Sequence, residues 1–132
     1  MTSIEEYFTD VRRLIQDIPE SRSERYEEQI LSPNRGILRI RLRFQDRSLL
    51  EISEALIIVA EEPHWMAYRY HYQYPSGALV FRYDNTPHHP EVSTHPDHKH
   101  LGEQVVESAR PSIEQLLIEV TAVRKAASST GQ

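Results

Sequence analysis

Cysteine is absent from this sequence, which excludes disulfides and thiolate metal sites and is compatible with a reducing compartment. The sequence also lacks a run of about 18 apolar residues, the length that spans a bilayer. Its start, MTSIEEYFTD, carries acids where an export signal needs a basic patch followed by an apolar stretch. We therefore predict a cytoplasmic protein that has no membrane partner.

The sequence does not have the composition of a disordered chain either, because 39% of its residues are hydrophobic and 27% are charged. Its 132 residues are enough for one compact core, and we expect residues 1–132 to form a single domain. The formal net charge of -5 argues against nucleic acid as a partner. The distribution of charge matters more, however, since five arginines and one acid lie between Arg35 and Arg47.

Two segments have the apolar spacing of amphipathic helices. Residues 3–17 place apolar side chains at helical period and end near Pro19. Residues 111–126 repeat this pattern after Pro111, a residue suited to a first helical turn. We expect both helices to pack on a sheet that the residues between them form.

The residues between the helices alternate between apolar and polar side chains, as strands do. Turn signals at residues 33–36 and 75–77 predict hairpins. The alternation breaks near Ser53 and Glu54, which predicts a β-bulge. The predicted fold class is α+β, with an N-terminal helix, an antiparallel β-meander of about five strands and a C-terminal helix packed on the sheet. The predicted strands are residues 25–31, 37–44, 48–60, 65–74 and 78–84.

Two of these strands carry cationic residues on one face. If the two faces coincide, the sheet presents a basic surface, and planar guanidinium groups suit phosphate binding. The alternative is that the arginines form ion pairs with glutamates of neighbouring strands, or simply solvate an exposed face. The candidate RNA-binding residues on these strands are Arg39, Arg41, Arg43, Arg69 and His71.

A stripe of tyrosines occupies the other face of the strand at residues 65–74. Tyr68, Tyr70, Tyr72 and Tyr74 recur at the two-residue period of a strand. Tyrosines on a sheet can stack on nucleic-acid bases. Because cationic residues alternate with them, we expect them instead to pack on the helices with their hydroxyls at the rim.

The segment Phe81–His100, FRYDNTPHHPEVSTHPDHKH, holds five of the seven histidines. Residues 85–100 are predicted to form one long loop, a feature that is often functional. Three interpretations are open: acid–base catalysis of RNA cleavage, metal ligation by imidazoles and a carboxylate, and a structural surface loop. The spacings HH, HxxH and HxH match no specific metal motif, so no metal or cofactor is predicted.

Four short elements follow one another between Tyr68 and Leu101. They are YRYHYQ at residues 68–73, FRYDN at 81–85, PHHPE at 87–91 and HKH at 98–100. Together they resemble the signature of the TumE family of bacterial toxins. The chain departs from the pattern at Asp97, where a histidine often precedes the last element.

The resemblance implies the toxin of a toxin–antitoxin pair. It implies a helix-turn-helix antitoxin as partner, and RNA or the ribosome as target, in the manner of RelE-type toxins. An exposed strand edge would in addition permit a homodimer or a toxin–antitoxin hetero-oligomer. The leading hypothesis is a metal-independent endoribonuclease or translation inhibitor; the alternatives are a non-enzymatic RNA- or protein-binding module and a metal-dependent enzyme that uses the histidine loop.

Under the leading hypothesis, the functional centre is Phe81–His100. Arg82, with Arg69 or Lys99, binds the scissile phosphate, and Asp84 orients an imidazole. One histidine of the PHH element is the base, and a histidine of the HKH element or Tyr83 is the acid. The candidate catalytic residues are Arg82, Tyr83, Asp84, His88, His89, His98 and His100.

Overall fold

A computed structural model describes residues 3–130 as one antiparallel sheet flanked by two helices. Seven strands follow one another across the sheet in the order of the sequence. The predicted α+β meander with its two helices is confirmed, with seven strands where about five are predicted. The elements are α1 (Ile4–Gln16), β1 (Ser21–Ser32), β2 (Arg35–Phe44), β3 (Leu49–Val59), β4 (Glu62–Gln73), β5 (Leu79–Asp84), β6 (His98–Leu101), β7 (Gln104–Glu107) and α2 (Ile113–Thr130).

The additional strands, β6 and β7, lie at and beyond the end of the predicted loop. The prediction of a loop through residue 100 is wrong at this end, because the backbone of β6 pairs with β5. β7 then pairs with β6 and completes the sheet. The loop is therefore confined to residues 85–97, and it connects two neighbouring strands.

The two faces of the sheet differ in what covers them. Alternate residues of the strands, such as Leu38, Ile40 and Tyr70, are buried in one core with apolar residues of both helices. We call this the covered face. The other side, the open face, carries the intervening residues of the same strands, such as Arg39 and Arg69.

Helix α1 is placed on the covered face by its cap and by a close approach to β2. The hydroxyl of Ser3 accepts a hydrogen bond from the amide of Glu6 at 3.1 Å, which caps the helix. A β-carbon added to Gly36 would lie 2.7 Å from Ile4 Cγ2 and 3.0 Å from Phe8 Cζ. Glycine at this position thus lets the helix lie directly against the strand.

The tyrosine stripe packs in the core, as predicted, except at its end. The prediction that the hydroxyls lie at the rim is wrong, because those of Tyr70 and Tyr72 donate to the buried Glu54 and Ser48. Tyr68, Tyr70 and Tyr72 are buried, whereas Tyr74 is 45% exposed. Phe81 continues the packing from β5, with its ring centroid 5.5 Å from that of Tyr72. These large rings occupy the space between the sheet and the helices.

Glu54 is a buried carboxylate on the covered face. The hydroxyl of Tyr7 in α1 donates to its Oε1 at 2.6 Å, and the hydroxyl of Tyr70 donates to its Oε2. Arg110, which lies just before α2, places Nη1 3.9 Å from Oε2 of the same carboxylate. Burial raises the pKa of Glu54 in spite of the hydrogen bonds from the two tyrosines. The side chain of Glu54 therefore links β3 to α1 and to the segment that precedes α2.

The bulge predicted near Ser53 and Glu54 lies immediately beyond them, and its extra residue belongs to β4. β2 and β3 pair through both residues without a register shift, and Glu54 takes a core position between Ile52 and Leu56. The register shift lies farther along the pairing of β3 with β4, where Met66 has no partner. The sequence pattern is misleading here because Glu54 is a polar residue at a core position. Its side chain interrupts the apolar alternation, although the backbone continues as a regular strand.

Replacing Glu54 by alanine should lower the free energy of unfolding by roughly 3–5 kcal/mol, because it leaves two buried tyrosine hydroxyls without their acceptor and removes the carboxylate that faces the partly buried Arg110. The measurement is urea unfolding followed by circular dichroism. Glu51→Ala is the matched control, since Glu51 lies on the open face of the same strand with its side chain 47% exposed. It should lose no more than about 1 kcal/mol. Equal losses in the two variants would contradict the role assigned to Glu54.

Candidate functional site

The pairing of β5 with β6 brings the two ends of the histidine segment together. Asp84 lies opposite His98, and Arg82 lies opposite His100. Because alternate residues of paired strands share a face, these four side chains lie together on the open face. Residues that are 14 to 18 positions apart in the sequence are thus cross-strand neighbours.

Three imidazoles and one carboxylate form a compact group, which we call the histidine cluster: Asp84, His89, His98 and His100. His98 Nε2 lies 3.0 Å from Asp84 Oδ1 and 3.1 Å from His100 Nε2. His100 Nε2 lies 3.5 Å from Asp84 Oδ2. One ring nitrogen from each of the three histidines lies within 4.8 Å of the others. The nitrogens of the three imidazoles therefore lie close enough together to contact one small ligand at the same time.

The cluster is buried at one end and accessible at the other. The side chain of His98 is 1% exposed and that of Asp84 is 7% exposed, whereas His100 is 16% and His89 is 30% exposed. The loop that carries His89 approaches from the solvent side. A substrate would reach the cluster past His89 and His100.

Backbone and side-chain hydrogen bonds fix the orientation of these groups. His98 Nδ1 lies 2.8 Å from the carbonyl oxygen of Pro96, and His89 Nδ1 lies 3.2 Å from a carboxylate oxygen of Glu91. The amide of Thr86 donates to Asp84 Oδ1 at 3.0 Å. The loop thus holds three of the four cluster residues in place.

Arg82 completes the charge pattern around the cluster. Its Nε lies 3.3 Å from Asp84 Oδ2, and its Nη2 lies 3.4 Å from His100 Nε2. Burial acts to raise the pKa of Asp84, but hydrogen bonds from Thr86 and the two neighbouring histidines outweigh it, so the pKa is lowered. Burial, followed by the charge of Arg82, lowers the pKa of His100. Asp84 is thus a carboxylate among potential cations.

Two of the candidate residues, Tyr83 and Lys99, lie on the covered face and are separated from the histidine cluster by the sheet. Both contact Glu119 of α2: the tyrosine hydroxyl donates to Oε1 at 2.5 Å and the lysine Nζ donates to Oε2 at 2.6 Å. Burial and the carboxylate of Glu119 raise the pKa of Tyr83. The structure therefore does not bring these two residues together with Arg82, Asp84 and the imidazoles.

The loop between β5 and β6 contains two histidines outside the cluster. His88 and His95 are exposed, although His88 is adjacent in sequence to His89. Asp97, where the chain departs from the toxin pattern, accepts a hydrogen bond from the Tyr68 hydroxyl at 2.9 Å. Its carboxylate contributes to the anchoring of the loop.

A basic pocket of about 190 Å³ lies next to the cluster on the open face. It includes Arg69 of β4, whose partner across the pairing of β4 with β5 is Asp84. Of the predicted RNA-binding residues, Arg43 lies outside the lining of this pocket, and Lys99 lies on the covered face. Arg39, Arg41, Arg69 and His71 all line it, together with Arg25 and Glu51.

The arginines of the open face differ in how far they are neutralised. Arg41 and Arg43 are both held by the carboxylate of Glu24, at 3.0 and 3.2 Å, and Arg41 is in addition 3.4 Å from Glu51. Within residues 3–130, the side chain of Arg69 forms no hydrogen bond or ion pair. The ion-pair interpretation is therefore correct for part of this face, and Arg69 keeps its donors available.

Three residues that position the cluster are not among the candidates: Thr86, Glu91 and Pro96. Their contributions are an amide, a carboxylate and a carbonyl oxygen toward Asp84, His89 and His98 respectively. A carboxylate two residues after a histidine is a weak signal for Glu91. Backbone groups leave no signal in the residue types.

The fold and the site define a small α+β protein that carries a histidine–aspartate cluster beside a basic pocket on an uncovered sheet. The profile of the family described as Toxin TumE matches residues 7–126, and the chain belongs to this family. It is accordingly the toxin component of a toxin–antitoxin system, with an antitoxin as its partner. Neither the curated proteins nor the solved structures give a significant match. No helix within residues 3–130 is long and apolar enough to cross a membrane.

Proposed function

We propose that this toxin is an endoribonuclease whose reaction centre is the histidine cluster. The observation that supports this function is the convergence of three imidazoles, one carboxylate and the guanidinium of Arg82 at the side of a basic pocket. Such groups can move protons and stabilise charge on a phosphate at neutral pH. The rest of the open face supplies binding for the flanking nucleotides.

Cleavage of RNA by its own 2′-hydroxyl makes defined demands on the site. The 2′-oxygen forms a bond to phosphorus while the bond from phosphorus to the 5′-oxygen breaks, so that one proton leaves the first oxygen and another reaches the second. In a metal-independent form of the reaction, imidazoles of the cluster transfer these protons. In a metal-dependent form they are ligands of the ion. The two forms differ at His98: its Nε2 carries a transferable proton in the metal-independent form and binds the ion in the metal-dependent form.

The basic pocket gives the RNA a path to the cluster. Arg69 lies between the pocket and Asp84 in the register of β4 and β5, and it has no carboxylate partner within the described residues. A guanidinium group binds phosphate through two parallel hydrogen bonds. We therefore assign Arg69 to the phosphate that neighbours the scissile one, and Arg82 to the scissile phosphate itself.

The proposal extends to the partner and the compartment. We propose that the antitoxin belongs to the helix-turn-helix class. The target is free RNA or, as the alternative, the ribosome. β1 and β7 each have one unpaired edge in the described sheet, which supports a homodimer or a toxin–antitoxin hetero-oligomer formed through a strand edge. The toxin is proposed to act in the cytoplasm.

Labelled RNA incubated with the purified toxin should be cleaved, and His98→Gln should slow cleavage by about 10²–10⁴-fold, the usual contribution of acid–base catalysis. The products are separated on a denaturing gel. His95→Gln is the matched control, since this histidine lies in the loop that precedes β6 and is exposed. Full activity of a folded His98→Gln variant would overturn the proposal. Retardation of intact RNA by the wild type would instead support the non-enzymatic binding module.

Growth arrest on expression should distinguish the two adjacent histidines of the loop. His89→Gln should relieve the arrest, because a ring nitrogen of His89 belongs to the cluster. His88→Gln should leave the arrest intact, because the exposed His88 lies outside it. The measurement is the number of colonies with and without induction, at equal protein levels. The reverse result would move the reaction centre to the rim of the loop.

Arg69→Gln should weaken RNA binding uniformly across sequences and reduce the slope of log affinity against log salt by about 1, as the loss of one phosphate contact does. Fluorescence anisotropy with a catalytically impaired His98→Gln background gives both quantities. Arg12→Gln, which removes the same charge from α1 on the opposite side of the sheet, is the control. Identical salt slopes in the two variants would contradict an RNA path through the pocket.

A further inference from the structure

Hydrogen-bond donors and acceptors do not balance inside the histidine cluster. His98 Nδ1 lies 2.8 Å from the carbonyl oxygen of Pro96, which can only accept, so this nitrogen carries a hydrogen. A neutral His98 then has a lone pair on Nε2. That lone pair faces Asp84 Oδ1 at 3.0 Å, and a carboxylate oxygen is again an acceptor.

His100 adds a third acceptor to the same space. Its Nε2 lies 3.4 Å from Nη2 of Arg82, which can only donate, and 3.1 Å from Nε2 of His98. When both imidazoles are neutral and accept at Nε2, two lone pairs and one carboxylate oxygen converge with no hydrogen between them. A cation at this position, either a proton or a metal ion, stabilises the arrangement.

A single proton satisfies this arrangement less completely than a metal ion does. A proton on His98 Nε2 can point well at only one of its two neighbours, and it leaves His89 without a role. Around an ion bound at roughly 2.0–2.2 Å, tetrahedral donors lie roughly 3.3–3.6 Å apart. The two Nε2 atoms of His98 and His100 lie 3.1 Å apart, a few tenths of an ångström from that geometry, and a ring nitrogen of His89 lies within 4.8 Å of a ring nitrogen of each.

The outer contacts of the cluster are those of metal ligands. A ligating histidine usually donates its second N–H to a carbonyl or carboxylate, which fixes the ring and its tautomer. His98 has Pro96 in this position and His89 has Glu91 at 3.2 Å. The amide of Thr86 orients the Asp84 carboxylate in the same way.

We propose that His89, His98 and His100 bind one divalent transition-metal ion, with the carboxylate of Asp84 beside them, and that Zn²⁺ fits their three imidazole nitrogens best. Arg82 then gives up its contact with His100 and keeps Oδ2 of Asp84. The ion sits at the buried end of the cluster, beside the nearly inaccessible His98, and faces solvent on the side of His89. Its action on a scissile phosphate rests on the proposed function, whereas its binding does not.

The test is a titration of the full chain, freed of metal with a chelator, with Co²⁺. One ion per chain should give the visible absorption of tetrahedral Co²⁺, and Zn²⁺ should abolish it by displacement. His98→Gln and His89→Gln should each weaken binding by more than about tenfold, the lower limit of what even the loss of an outer contact causes. His88→Gln is the control, adjacent to a ligand in sequence and outside the cluster, and should bind as the wild type does.

Several results decide between the possibilities. Absence of saturable Co²⁺ binding by the wild type overturns the site, as does wild-type affinity in both His89→Gln and His98→Gln. His89→Gln guards against a folding defect, because its side chain is partly exposed, and thermal unfolding checks both variants. Metal binding without RNA cleavage supports the site and overturns the ribonuclease. Cleavage that survives chelation, by a protein that binds no metal, supports the ribonuclease and overturns the metal site.

Discussion

Successive residues of a β-strand point to opposite sides of the sheet, and the chemistry of this toxin depends on that two-residue period. Two helices cover one side, so every second residue of the strands is available for a core and the residues between them remain accessible. In β6, His98 and His100 reach the open face while Lys99 turns toward α2. The same constraint joins the cluster to the basic pocket, because both are built from residues that the helices leave uncovered.

Asp84 is the carboxylate around which the cationic and imidazole groups at the edge of the open face are arranged. It lies at the end of β5, where it contacts a guanidinium and two imidazoles and receives a backbone amide from the loop. A carboxylate in this position permits several potential cations to lie within a few ångströms of one another. The cluster is therefore a balance of opposite charges rather than a purely basic site, which distinguishes it from the neighbouring pocket and its unpaired Arg69.

Periodicity predicts the regular parts of this fold and misses those that depend on distant partners. The helices and the strands β2 to β5 follow from their own sequence patterns. The HKHL of β6 has no apolar alternation and becomes a strand only because β5 pairs with it. Glu54 breaks a pattern locally and is satisfied by Tyr7 and Arg110, which are far away in the chain. For the site, the residue types of the histidine segment are informative, but a loop without period gives no means to tell His88 from His89.

Lys99 fixes the register in which β6 pairs with β5. Its ammonium group is held by Glu119 of α2, and a slip of β6 by one residue would put the lysine on the open face and turn both histidines toward the core. Residues 85–97 are restricted at single positions instead, since Thr86, Glu91 and Pro96 each contact a residue of the cluster. A one-residue slip of the short strand would therefore disrupt the site as a whole, whereas a substitution at an exposed position of the loop, such as His88 or His95, would leave the cluster in place.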